Sequence, residues 1–294
     1  MICEIVLTPN QAKRIISKAI IELSYVQKAL QDGMMVIHPS STTYFILYEL
    51  FGKVPEGIWV SGVIKKGALC ISRERQDLGT KGETPSHPFD FPFSWVLEKG
   101  KLKMERIKLG VLLNEMGPGD IYVKGCNAVD AHRQAGVLFA SPGGGTVAQV
   151  MKAAQRKGFR FILPVGLEKM ISIPIGDAAQ KSSYDKIDKS MGQRVGLMPV
   201  NGEVICEDQA INILTGCTAV QIASGGLEEA QGATILAVSG EAENMERMWQ
   251  LIHEISKREV RVPALKETDC SMCPRNKCSY FNLDAESRLK TISR

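Results

Sequence analysis

The sequence predicts an α/β protein built on a mostly parallel sheet with helices on both faces, and three observations carry that expectation. Between Gly119 and Gly166, three β-branched runs (Ile121 to Val123, Val137 to Ala140, Phe161 to Val165) flank a triple glycine, Gly143, Gly144 and Gly145, and a helical segment from Thr146 to Lys157. A strand, glycine loop, helix, strand order builds a parallel pair through a right-handed crossover. Apolar residues from Ala12 to Leu30 recur at helical spacing, as a helix covering one sheet face requires. Finally, 294 residues that are 44% hydrophobic can bury a large core, either as one domain or as two lobes.

Taken in order, Thr8-Pro9 reads as an N-cap with proline at the first helical position, and Asp32-Gly33 ends that helix. Met34 to Ile37 is a buried strand leading into His38-Pro39-Ser40-Ser41-Thr42-Thr43 and a helix from Tyr44 to Phe51. Ser40, Ser41, Thr42 and Thr43, with backbone amides at a helix start, form a cradle for phosphate or carboxylate. His38 stands at the strand end, where an imidazole can polarise a carbonyl. Gly57 to Ile64 and Ala68 to Ser72 are further strands, followed by a polar loop from Arg73 to Pro92 whose Arg73, Arg75 and Lys81 could meet an anion.

Phe93 to Glu98 and Lys101 to Glu105 form a hairpin, and Leu109 to Met116 a short helix. Beyond the glycine stretch, Glu168 is a carboxylate base candidate at a strand end, with Lys169 beside it. Ile175 to Met191 is helical or irregular. Gly196 to Val200, Thr218 to Ile222 and Thr234 to Val238 are strands, and Glu241 to Lys257 is a helix with an apolar stripe.

The glycine loop offers amides and a helix N-terminus to an anion through Gly143, Gly144, Gly145 and Thr146, although its spacing matches neither the dinucleotide-binding nor the Walker pattern. The segments Gly125-Cys126-Asn127-Ala128-Val129, Gly145-Thr146 and Phe161-Ile162-Leu163-Pro164-Val165 resemble the carboxy-terminal half of the methylthioribose-1-phosphate isomerases. They are similar also to the non-catalytic relatives of those enzymes, the regulatory subunits of the initiation-factor guanine-nucleotide exchange complex. Both groups lie within the superfamily of ribose-5-phosphate isomerases, glucosamine-6-phosphate deaminases and CoA transferases.

The resemblance implies a Rossmann-like sheet and a pocket for a phosphosugar or acyl-CoA anion, worked by an isomerase or transferase. Ligand contacts would come from the Ser40 to Thr43, Gly125 to Asn127 and Gly143 to Thr146 segments, with Cys126 or Glu168 as the reactive group. Asn127 stands where the isomerases carry a catalytic aspartate. A carboxamide takes up no proton, so the same pocket in a non-catalytic, ligand-sensing regulator is the alternative.

Residues 263–294 form a cysteine-rich tail beyond an α/β region spanning 1–262. Cys270, Cys273 and Cys278, at C-x2-C-x4-C spacing, suit zinc or an iron–sulfur cluster, with His253, Cys206, a neighbouring subunit or an exogenous ligand as the fourth partner. Cys3, Cys70, Cys126, Cys206 and Cys217 lie in apolar contexts and read as reduced core residues. Lys+Arg 36 against Asp+Glu 32 leaves a net charge of +4 with no basic block, which excludes a nucleic-acid surface. No apolar run is long enough for a membrane span and no signal pattern opens the chain, so a cytoplasmic protein, monomeric or homo-oligomeric, is expected.

Overall fold

The computed structural model describes residues 1–82, 93–103 and 107–292. It is a mixed α/β fold, and it begins with a strand that the sequence reading lacks, β1 (Ile2–Leu7), in which Ile5 and Leu7 are buried and Val6 is exposed. Thr8 then caps α1 (Pro9–Glu22): its hydroxyl accepts the Gln11 amide while the Gln11 side chain accepts the Thr8 amide. The single long helix of the sequence reading is two. Leu23 turns extended at φ −64°, ψ 128° and packs on the core before α2 (Ser24–Asp32) begins.

Buried β2 (Met34–His38) leads to α3 (Thr43–Phe51), and β3 (Gly62–Lys65) pairs with β4 (Ala68–Ile71) as a hairpin. The polar stretch read as a loop starts instead as α4 (Arg73–Thr80), capped by the Ser72 hydroxyl; residues 83–92 of it lie outside the described residues. Next come the hairpin β5 (Trp95–Glu98) and β6 (Lys101–Lys103), whose expected last residues, 104 and 105, are also outside that set. Helix α5 (Leu109–Glu115) follows, then β7 (Ile121–Lys124), β8 (Ala128–Val129), β9 (Ala135–Phe139), α6 (Gly145–Lys157) and β10 (Arg160–Pro164). The remainder contains α7 (Ile175–Lys181), β11 (Gly196–Val200), β12 (Glu203–Ile205), α8 (Glu207–Thr215), β13 (Thr218–Gly225), β14 (Ala233–Ser239), α9 (Ala242–Lys257) and α10 (Ala285–Ile292).

The central sheet has the order β12-β10-β7-β2-β5-β6. Strands β12, β10, β7 and β2 run parallel, and β5 and β6 add an antiparallel edge. Two antiparallel sheets, β1-β14-β13 and β11-β9-β8, flank it. The glycine stretch therefore builds its parallel pair differently from the expectation: β10 pairs with β7, while β9 pairs antiparallel with β11 and β8. The cause is a turn at Asp130, whose Oδ1 accepts the His132 and Gln134 amides and whose Oδ2 accepts the Ile175 amide. With Arg133 at φ 62°, that turn folds the chain back as the β8–β9 hairpin before it can enter the central sheet. Tyr122 and the aliphatic residues of α1, β2, β7 and β10 fill one continuous core. Among the described residues no helix is long and apolar enough to cross a membrane.

Candidate functional site

A pocket of about 700 Å³ opens at the carboxyl ends of β2 and β7, where ligands gather in open parallel sheets. Its volume suits a small organic ligand. His38 ends β2 and pairs in register with Lys124 at the end of β7, so parallel strand pairing sets an imidazole beside an ammonium group. Gly125 follows at once. A Cβ there would collide with Ser40 Oγ, and glycine is what lets the β7 end and the Ser40 turn share one wall.

The electrostatics of the pocket are one-sided. Arg75, Lys124, Lys169 and Arg275 line it, and among the described lining residues there is no aspartate or glutamate. Burial pushes the Lys124 ammonium down to about 8, opposed weakly by Cys126, and no carboxylate pairs with it among the described residues. Burial, reinforced by the charges of Lys124 and Arg75, holds His38 well below the ordinary histidine value, so its ring is neutral at physiological pH. Its Nδ1 lies 3.2 Å from the Tyr122 hydroxyl. Lys169 shares Glu168, at 3.8 Å, and Arg275 Nε is buried with no hydrogen-bond partner among the described residues.

Helix α6 begins at this pocket without a side-chain cap, whereas at α3 the Ser40 hydroxyl accepts the Thr43 amide at 3.1 Å. Helix α6 starts after Gly144, at φ 84°, and Gly144, Gly145 and Thr146 line the wall; α3 starts beside Ser40 and Ser41, which line it too. Uncapped first-turn amides and the helix dipole both favour an anion. The glycines have a packing duty as well, since a Cβ on Gly144 would collide with Met198 Cε.

Several of the residues singled out from sequence are placed differently. Thr42 and Thr43 are fully buried and do not line the pocket; the Thr43 hydroxyl donates to the His38 carbonyl at 2.6 Å and fixes the turn. Gly143 is likewise outside the lining. Cys126 lines it, but burial pushes its thiol up to about 12 and its Sγ faces the Lys124 carbonyl at 3.7 Å, which leaves it protonated and unreactive at neutral pH. Asn127 is exposed at the wall, its Oδ1 accepting the Leu138 amide at 3.0 Å, so the carboxamide tethers β9.

Glu168 lies outside the pocket in a different cluster. Its Oε1 approaches Lys13 at 3.9 Å, and nearby Glu207 accepts the Leu167 amide at 2.9 Å and the Thr234 hydroxyl at 3.1 Å. Sequence reasoning missed Lys124 and Arg275. Lys124, a charge at the end of a run of buried β residues, was the available signal for the first. The second sits among the tail cysteines, far away in sequence.

A smaller cavity of about 150 Å³ lies behind β4 and is lined by Cys270, Cys273 and Cys278, joined by Cys70 from the β3–β4 hairpin. All four are free thiols. Of the fourth partners suggested by sequence, Cys206 is buried at the start of α8 and neither it nor His253 lines this cavity. Among the described residues no three His, Cys, Asp or Glu side chains are gathered as a single-ion site requires. Comparison of the chain with protein-family models, with curated proteins and with solved structures gives no match.

Proposed function

We propose that the pocket at the ends of β2 and β7 binds a small phosphorylated or carboxylated molecule, a phosphosugar or an acyl-CoA type anion, and that the protein is an enzyme of the isomerase or transferase class. One observation carries this reading: four cations line the cavity with no carboxylate among its described lining residues. Lys124 has no carboxylate partner among the described residues; a buried cation without counter-charge is costly, and an anionic ligand removes that cost. The uncapped amides at α6 add donors suited to phosphate oxygens.

The chemistry available is proton transfer next to a carbonyl. Lys124, with its ammonium pushed down to about 8, holds a useful fraction of free amine near neutral pH and is the base. Neutral His38, the residue paired with it in register, polarises the carbonyl oxygen. Cys126 and Glu168 have no part in this scheme.

The test is thermal unfolding against sugar phosphates, CoA thioesters and their uncharged parents. A ligand at about 100 times its Kd adds roughly 2.7 kcal/mol of stability. The expected result is a rise for anions only, abolished by Lys124→Met and by Arg275→Met. An equal rise with the uncharged parents, or no rise with any anion, would overturn the assignment. The absence of a carboxylate among the described wall residues, with Asn127 at the wall, favours a second reading as a ligand-sensing regulator; selective binding with no turnover of the bound compound would select it.

A further inference from the structure

The cavity behind β4, which shares Cys70 with the wall of the anion pocket, carries an inference of its own. We propose that Cys70, Cys270, Cys273 and Cys278 hold a four-iron, four-sulfur cubane cluster, with Cys70, from two hundred residues upstream, as the fourth ligand. The thiols come from two parts of the chain that the fold holds against each other by other means. Lys65 Nζ donates to the Lys266 carbonyl at 3.0 Å, the Gln76 side chain bonds the Asp269 backbone, and the Ser279 amide donates to the Gly192 carbonyl at 3.0 Å. The Tyr280 hydroxyl donates to the Gly67 carbonyl at 3.3 Å. The tail is thus docked on β3, β4 and α4 with its cysteines turned to one cavity.

The size of the cavity discriminates between metals. Four thiolates on one zinc ion, each about 2.3 Å from it, must stand within about 4 Å of one another. Here the thiols surround a space of about 150 Å³ and do not gather on a single point. A cavity of about 150 Å³ admits a body as large as benzene. In a cubane each thiolate binds a different iron, so the sulfurs stand around a body of just this kind.

The charges agree. Backbone amides of Arg275 and Tyr280 hydrogen-bond the sulfurs of Cys273 and Cys278, and Lys65 and Arg288 stand near Cys270. Four thiolates outnumber the positive charge of the core, and these cations and amides offset the excess. Asp269, which also lines the cavity, turns its Oδ1 to the Ser271 amide at 2.9 Å and hydroxyl at 2.7 Å. Ligation is assembly only: the four thiols lose their protons and bond to iron, and no redox step is assigned.

The experiment uses the full chain, purified without oxygen and reconstituted anaerobically with equal amounts of ferrous and ferric iron and with sulfide. Expected are about four iron and about four sulfide per chain, with broad visible absorption that bleaches on dithionite. Cys70→Ala should retain less than half of the iron, and Cys3→Ala, in β1, should retain all of it. Stoichiometric zinc without sulfide, or no stoichiometric metal, sinks the proposal; so does a Cys70→Ala protein with full iron and sulfide. If Cys70→Ala does not fold, Cys278→Ala, on the half-exposed tail, decides by the same measure.

Discussion

Two buried lysines, Lys13 and Lys124, have ammonium groups pushed down to about 8, and burial is the main cause at both. Their surroundings differ. Lys13 on α1 faces Glu168, with Glu207 close enough to favour its charge and Lys169 opposing it, inside a network closed by Leu167 and Thr234. Lys124 at the end of β7 has no carboxylate partner among the described residues and looks into a cavity walled by other cations. One lysine completes a circuit within the protein, and the other leaves a circuit open. A depressed lysine therefore does not mark a site by itself; the lack of an internal counter-charge does.

The largest expected effect breaks the comparison by removing each lysine. Lys13→Met strips one of the two cations from Glu168, Lys169 at 3.8 Å remaining, and losing one partner of a buried pair costs up to about 3 kcal/mol. The cost should be largest between pH 7 and 8, where Glu207 is ionised and Lys13 still largely charged, and much smaller at pH 5, where Glu207 is protonated, its carboxyl being pushed up to about 7 chiefly by burial and then by Glu168. Lys124→Met should have the opposite sign. Its native ammonium titrates at about 8 against an ordinary 10.5, so the native state binds fewer protons than the unfolded chain between those values. Parent stability accordingly rises with pH across that window. The methionine variant lacks that rise and is more stable at pH 7 by about 3 kcal/mol, at 1.36 kcal/mol per pKa unit. Chemical denaturation of both variants at pH 5, 7, 8 and 10 checks the signs, and destabilisation by Lys124→Met at pH 7 would mean that the lysine has an internal partner after all.

A somewhat smaller effect sharpens the closed side. The folded-state value for Glu207, about 7, lies above its ordinary 4.5, so the native state binds more protons between them and stability falls as pH rises through that range. The loss should be about 2.5 kcal/mol between pH 4.5 and 7. Glu207→Gln can keep the Leu167 amide on its oxygen and offer its amide nitrogen to the Thr234 hydroxyl, so it should remove this slope without disturbing α8. An unchanged slope would assign the pH dependence elsewhere in the cluster.

How far sequence reaches follows from the same contrast. Local chemistry was legible: the Thr8 cap, the β2 strand ending at His38, the glycine loop opening α6 and the hairpin across Lys99-Gly100 each follow from residues within one turn of each other. What crosses the chain was not. Val137 to Ala140 has the composition of a parallel core strand, and only the Asp130 turn, with its third bond to Ile175, sends it into the antiparallel sheet. The pairing of Lys13 with Glu168 and the approach of Cys70 to the tail cysteines join residues more than 150 apart, and no spacing rule connects them. Cys70 lies in an apolar strand and reads as core until the tail is docked beside it. Glu168 stood out as a base because it is acidic and close to a strand end, yet its neighbours make it the counter-ion of Lys13.

The smallest effect bears on the open side. Asn127 is exposed, and its side-chain Oδ1 accepts the Leu138 amide; a carboxylate accepts that bond equally well. Asn127→Asp should therefore change stability by no more than about 0.5 kcal/mol. Its charge, however, enters a wall of cations and competes with the ligand for them, so affinity for a phosphorylated or carboxylated ligand should fall by a factor of about 10, the worth of roughly 1.4 kcal/mol of charge interaction. Calorimetric titration of the parent and the variant with the ligand that emerges from the thermal panel measures this directly. Tighter binding, or turnover that the parent lacks, would mean that the pocket wants a carboxylate at this position. The cations around Lys124 would then serve an acid–base pair of which Asn127 is the disabled half, and the regulator reading would displace the enzyme.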